Sequence, residues 1–132
     1  MEGARELNIK PPTIIGVTVL TSLSNVEFQT DLNIHEPIEE YVFKLARVCY
    51  DSGLDGCVCS PWEVGKLRCF FPDAFKLVTP GIRLENTKDD QNRVMTPTDA
   101  LKNGANQLVI GRSITKSKDP QKIFSEICKS IA

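Results

Sequence analysis

The sequence predicts an α/β fold built on a parallel sheet, on three observations. Four short segments are almost wholly apolar and rich in β-branched residues, the composition of strands covered on both faces. Each is followed by a polar loop and then by a stretch with helical spacing, an alternation that gives parallel strands joined by right-handed crossovers. Three of the helices open on a capping residue followed by proline: Ser60-Pro61, Thr96-Pro97 and Asp119-Pro120. No linker or low-complexity segment divides the 132 residues, so a single domain over 1–132 is expected.

Residues 2–7 look like the tail of a helix, which Pro11-Pro12 breaks. TIIGVTVL, 13–20, is the first strand, and it ends on Thr21-Ser22. The connection over 23–36 is polar and weakly specified. Pro37 then opens a helix, with Glu39 and Glu40 at the positive end of its dipole. Ile38, Tyr41, Val42, Leu45, Ala46 and Cys49 form its core-facing stripe, and Gly53 suits the stop. LDGCVC, 54–59, is the second strand, and Ser60-Pro61-Trp62-Glu63 reads as a capping box for a helix running to about residue 70. FKLV, 75–78, is the third strand, leading into Thr79-Pro80-Gly81-Ile82-Arg83. After the polar stretch 84–95, Thr96-Pro97 opens a short helix that stops at Gly104. QLVI, 107–110, is a short buried fourth strand running into Gly111-Arg112-Ser113. The last helix, from Asp119-Pro120, carries Ile123, Phe124, Ile127, Cys128 and Ile131 on one face. Two strands share a lead-in, Gly53-Leu54-Asp55 and Gly104-Ala105-Asn106.

At 41% hydrophobic and 25% charged the composition is that of an ordinary globular domain. A net charge of −1 argues against nucleic acid, which would call for a basic stripe. No apolar run approaches the ~20 residues of a membrane span, and MEGARELNIK lacks the apolar segment of a secretion signal. Five cysteines, an odd number without Cys-x-x-Cys, signal neither a disulfide framework nor zinc, and read as reduced core thiols in a cytoplasmic protein. His35 is the only histidine, which excludes His-pair metal sites and leaves little support for a His-based triad. No cofactor is expected.

In a parallel sheet the loops after the strands gather on one rim. Here that rim holds Thr21-Ser22, Ser60, Thr79 to Arg83, and Gly111-Arg112-Ser113. A strand ending in Gly-Arg-Ser suits a phosphate: the glycine admits the anion to backbone N–H groups, the arginine offers a forked cation, and the serine adds a hydroxyl. Gly111 could simply end a strand and Arg112 be a solvated surface group. A second arginine, Arg83, at the end of the preceding strand favours the phosphate reading. The stretch 84–95 exceeds the ~2–6 residues usual for such a loop, and is read as a lid with Gln91 as a neutral donor and Arg93 bracing the following helix. Ser60 is expected to cap its helix while facing the ligand, and Trp62 to pack on that helix.

GVTVLTS (16–22), GLDGCVCSPWE (53–63), FKLVTPGIR (75–83), DQNRVMTP (90–97) and VIGRSIT (109–115) resemble, in order and spacing, the C-terminal half of the bacterial-type orotidine 5′-phosphate decarboxylase family. The resemblance runs from about Pro12 to the end, and TPGIR paired with VIGRSIT at this separation is highly specific. It implies a TIM-type (β/α)₈ barrel of which these units are strands 5–8, a half-barrel. It implies conversion of orotidine 5′-phosphate to UMP and CO₂ in pyrimidine biosynthesis. Arg112, Gly111 and Gln91 then hold the phosphate, Arg83 and Thr21 fall on substrate-binding positions, and Ser60 hydrogen-bonds the pyrimidine.

The departure from the family is the Asp-x-Lys-x-x-Asp array of its early strands, which supplies the protonating lysine and the carboxylates around it. That motif occurs nowhere in the sequence. A barrel of this type also takes roughly 200 residues or more. Residues 1–7 resemble the family's fourth helix entered partway, as in a piece of a longer protein or a split gene product. The chain alone is therefore expected to be inactive. The strands at 13–20 and 107–110 would be open edges needing the N-terminal half or a second copy. Two other readings stand beside this one: a sugar-phosphate enzyme of the same suprafamily, and a non-catalytic remnant or interaction module.

Overall fold

Four short strands, β1 (Ile15–Val17), β2 (Gly56–Val58), β3 (Lys76–Thr79) and β4 (Gln107–Leu108), form one sheet in chain order with every neighbouring pair parallel. The computed structural model describes residues 2–84 and 94–132. The helices are α1 (Glu2–Glu6), α2 (Asn25–Asp31), α3 (Ile38–Asp51), α4 (Val64–Arg68), α5 (Pro97–Lys102), α6 (Arg112–Thr115) and α7 (Pro120–Ser130). Sequential parallel order, with no reversal, is the wiring of a β/α barrel rather than of a doubly wound sheet. Right-handed crossovers place the helices on one face.

The register sorts the side chains. Gly16 pairs with Cys57 and Cys57 with Leu77, and this row faces the helices: Cys57 and Leu77 are fully buried. A methyl on Gly16 would collide with Cys49 Sγ, so glycine is what lets α3 lie flat on β1. Val42 and Ala46 of α3, Val64 and Leu67 of α4, Phe71, Phe75 and Ala100 complete the core between sheet and helices. The opposite row is uncovered. Val17 is 61% exposed and Val109, just past β4, 50% exposed. The expectation of strands buried on both faces is corrected: the concave face has no cover among the described residues, and the strands at 13–20 and 107–110 shorten to three and two residues.

The shared lead-in has a structural purpose. Asp55 accepts a hydrogen bond from the Ile14 N–H at 2.7 Å, and Asn106 accepts from the Leu77 N–H at 2.8 Å. Each side chain reaches the foot of the preceding strand and pins the register there. Arg68 reinforces the same end, donating to the carbonyls of Pro72 at 2.8 Å, Phe75 at 3.2 Å and Gly104 at 3.0 Å, and to Asn106 Oδ1 at 2.6 Å.

Helix starts follow local chemistry. Thr96 and Asp119 accept from the backbone N–H groups of Asp99 and Lys122, with proline next, as expected. Gly53, at φ 74°, ends α3 while Leu54 N–H returns to the Cys49 carbonyl. Three expectations need correction. The connection over 23–36 contains α2, opened by a complete capping box of Ser24 and Glu27. At Ser60 the box is only half made: Glu63 accepts from Ser60 N–H at 2.7 Å, but the Ser60 hydroxyl accepts from Trp62 N–H at 3.3 Å, and the helix starts later, at Val64. Of the five cysteines, Cys69 and Cys128 are exposed rather than core.

Candidate functional site

The rim at the carboxyl ends of the strands carries the polar residues singled out above. Backbone bonds continue the strands up to it, from Thr18 N–H to Val58, from Cys59 N–H to Val78, and from Val109 N–H to Thr79. Thr21, Ser60 and Arg83 therefore emerge side by side, and all three are buried.

The loops after β3 and β4 meet. Arg83 Nη1 donates to Ser113 Oγ at 3.4 Å and to the Ile82 carbonyl at 3.2 Å, so the guanidinium of one loop rests on the residue next to Arg112 in the other. Gly111 caps α6, with open space where a side chain would be. The hydrogen bonds of that turn begin at Ile114 and Thr115, both to Gly111 O. Short as it is, α6 was not anticipated; its signal was the Gly111-Arg112-Ser113 step itself.

Below these loops Arg83 N–H donates to the Met95 carbonyl and Met95 N–H to the Gly81 carbonyl, both at 3.1 Å. They close the neck of the long loop. Trp62 adds to the neck. It is exposed, and its indole N–H donates to the Val94 carbonyl at 3.2 Å rather than packing on its helix. Gln91 and Arg93, read as lid residues, lie outside the described residues.

Ser60 sits two strand spacings from β4, roughly 10 Å, and Thr21 three. Behind Ser60, a hydrogen bond with Cys57 and, after it, burial hold the Cys59 thiol far above its ordinary value, so it stays neutral. The buried carboxylate of Glu63, which fixes the Ser60 backbone, was missed as a site residue, although its place in the capping box was its signal.

Parallel strands in sequential order, with arginine, hydroxyl and glycine groups on their carboxyl-end rim, define a protein of the β/α-barrel class. The chain belongs to the orotidine 5′-phosphate decarboxylase / HUMPS family, whose model matches residues 1–127. It is 57% identical over 132 residues to the orotidine 5′-phosphate decarboxylase of Prochlorococcus marinus (strain MIT 9515), covering 99% of this chain and 55% of the relative. The crystal structure of orotidine 5′-phosphate decarboxylase from Lactobacillus acidophilus superposes with a TM-score of 0.76 at 36% identity, over 93% of this chain and 50% of that one. An uncharacterized conserved protein from Geobacillus kaustophilus gives 0.73 at 30% identity, over 94% and 51%. The chain thus spans about half the length of the relatives it matches, and its four β/α units are half a barrel. Among the described residues no helix is long and apolar enough to cross a membrane.

Proposed function

We propose that this chain supplies the phosphate- and pyrimidine-binding half of an orotidine 5′-phosphate decarboxylase, which releases CO₂ from orotidine 5′-phosphate to form UMP. The observation that carries the reading is the Arg83–Ser113 contact, which draws TPGIR and VIGRS into one clasp at neighbouring strand ends. Arg112 and Arg83 neutralise the phosphate dianion, Gly111 leaves room for it to approach the backbone, and Gln91 is a further donor from the loop. The Ser60 hydroxyl addresses the ring and Thr21 the far side of the substrate. These groups bind and orient. The proton donor comes from the Asp-x-Lys-x-x-Asp strands of the other half, which the sequence lacks. The buried, unbridged thiols suit a reducing, cytoplasmic setting.

The test mixes this chain with a chain of the early strands of the Prochlorococcus marinus relative and follows orotidine 5′-phosphate decarboxylation. Activity in the mixture, and in neither chain alone, is the expected result. A stable complex that leaves orotidine 5′-phosphate intact where the full-length relative consumes it would sink the proposal. The family name also covers HUMPS enzymes, so a sugar phosphate that outcompetes UMP for the clasp would shift the assignment to that branch.

A further inference from the structure

Ser60-Pro61-Trp62-Glu63 buries a carboxylate that its helix does not use. Glu63 is 4% exposed, and its side chain accepts from Ser60 N–H at 2.7 Å. Yet α4 starts only at Val64, and Glu63 itself stands at the N-cap without a side-chain cap bond. Ser24 and Glu27 use the same chemistry differently. There the box is exposed, the helix begins at the next residue, Asn25, and the Ser24 hydroxyl donates its proton to the Glu27 carboxylate at 2.7 Å. Burying a carboxylate costs stability unless hydrogen bonds offset it, so a cap alone would be better served at the surface. What the buried carboxylate holds is Ser60. Glu63 takes both ends of that residue's backbone: its side chain accepts from Ser60 N–H, and its own N–H donates to the Ser60 carbonyl at 3.1 Å. Pro61 narrows the backbone choices of the residue before it. Trp62 N–H occupies one lone pair of the Ser60 hydroxyl at 3.3 Å. Among the described residues no acceptor takes the hydroxyl proton, in contrast to Ser24. The N–H, the C=O and one lone pair of Ser60 are thus engaged within its own turn, and the O–H remains for a ligand.

We propose that Glu63 is the positioning residue for the pyrimidine end of the site: by fixing the Ser60 backbone it aims the Ser60 hydroxyl at the ring, and so gives a nucleoside monophosphate its advantage over a bare sugar phosphate. The inference rests on the reading of Ser60 as the ring contact. Glu63 acts through Ser60, and its effect belongs to the ring rather than to the anion, because the Arg83–Ser113 clasp is built from the loops after β3 and β4. A hydroxyl held on a fixed backbone meets the ligand without first being ordered, which is where the gain in affinity arises.

Calorimetric titration of the whole chain with UMP, and with ribose 5-phosphate as a probe of the clasp alone, separates the two ends of the site. Glu63→Leu is expected to weaken UMP binding about tenfold, to the level of Ser60→Ala, and to leave ribose 5-phosphate binding unchanged. Glu63→Gln keeps an acceptor oxygen for Ser60 N–H and is expected to hold UMP within about threefold of the native chain. Adding Glu63→Leu to Ser60→Ala is expected to cost nothing further, since the carboxylate then has no hydroxyl to aim. Equal losses for both ligands, no loss for UMP, or additive losses in the double variant would each overturn the assignment. Amide exchange needs no variant that folds: in the native chain the Ser60 N–H is expected to be protected about a hundredfold or more over an unstructured peptide. An unprotected Ser60 amide would overturn the assignment as well. A native chain that binds UMP no better than ribose 5-phosphate would remove Ser60 from the ring and the nucleotide reading with it. That failure shows before any residue is changed, and so is told apart from a failure of Glu63.

Discussion

Arg68 and Arg112 show how differently one residue type serves this chain. The Arg68 guanidinium is held by carbonyls at the amino ends of the strands and by Asn106, while Arg112 opens α6 on the opposite rim. Arg68→Ala strips charged donors from the part-buried carbonyls of Phe75 and Gly104, and is expected to cost roughly 2 kcal/mol in urea unfolding. Arg112→Ala is expected to keep the fold by far-UV circular dichroism but to weaken UMP binding roughly 10- to 100-fold by calorimetry. Unaltered UMP affinity in that variant would place the anion elsewhere. The two roles were unequally visible beforehand. Arg112 stands in a strand–Gly–Arg–Ser step whose chemistry is local, whereas the partners of Arg68 lie as far as 38 residues away.

Helices were legible wherever their caps were local. Thr96-Pro97 and Asp119-Pro120 open α5 and α7 as the residue types require. Ser24 and Glu27 carry an equally local signal, obscured by the polar residues around them, and Phe28 then anchors α2 edge-to-face on Tyr41 at 5.5 Å. Ser24→Ala is expected to lower the thermal midpoint by roughly 3–5 °C. The Ser24 hydroxyl also lowers the pKa of Glu27. That contribution is present above the carboxylate's unfolded pKa and fades as pH falls through the folded one, and it should vanish in the same variant. The half-made box at Ser60 has a tertiary cause: the Glu63 side chain is buried against the sheet and the Ser60 hydroxyl turns to Trp62, so the helix waits until Val64.

For the whole molecule, burial of thiols makes stability depend on alkaline pH. Burial raises Cys49, and a hydrogen bond to Cys57 together with burial raises Cys59. Their folded forms are neutral, so the stability they lend is complete below the unfolded thiol's pKa of about 8.5 and is lost as pH climbs beyond it. Melts in a phosphine reductant should show a lower midpoint at pH 9.5 than at pH 7, and equal midpoints would contradict the burial. Modification with a disulfide reagent should find Cys69 fast, with Cys49, Cys57 and Cys59 reacting only on unfolding.

The sequence by itself determined the β/α alternation, the parallel sheet and the grouping of Thr21, Ser60, Arg83, Gly111 and Arg112 on one rim, because periodicity, caps and strand direction are short-range properties. Only the tertiary structure decided that Arg83 rests on Ser113, that Arg68 and Asn106 lock the far end, and that the concave face is bare. Those depend on which distant segments come together, and on a sheet whose apolar strands ask for a cover that four strands cannot give themselves.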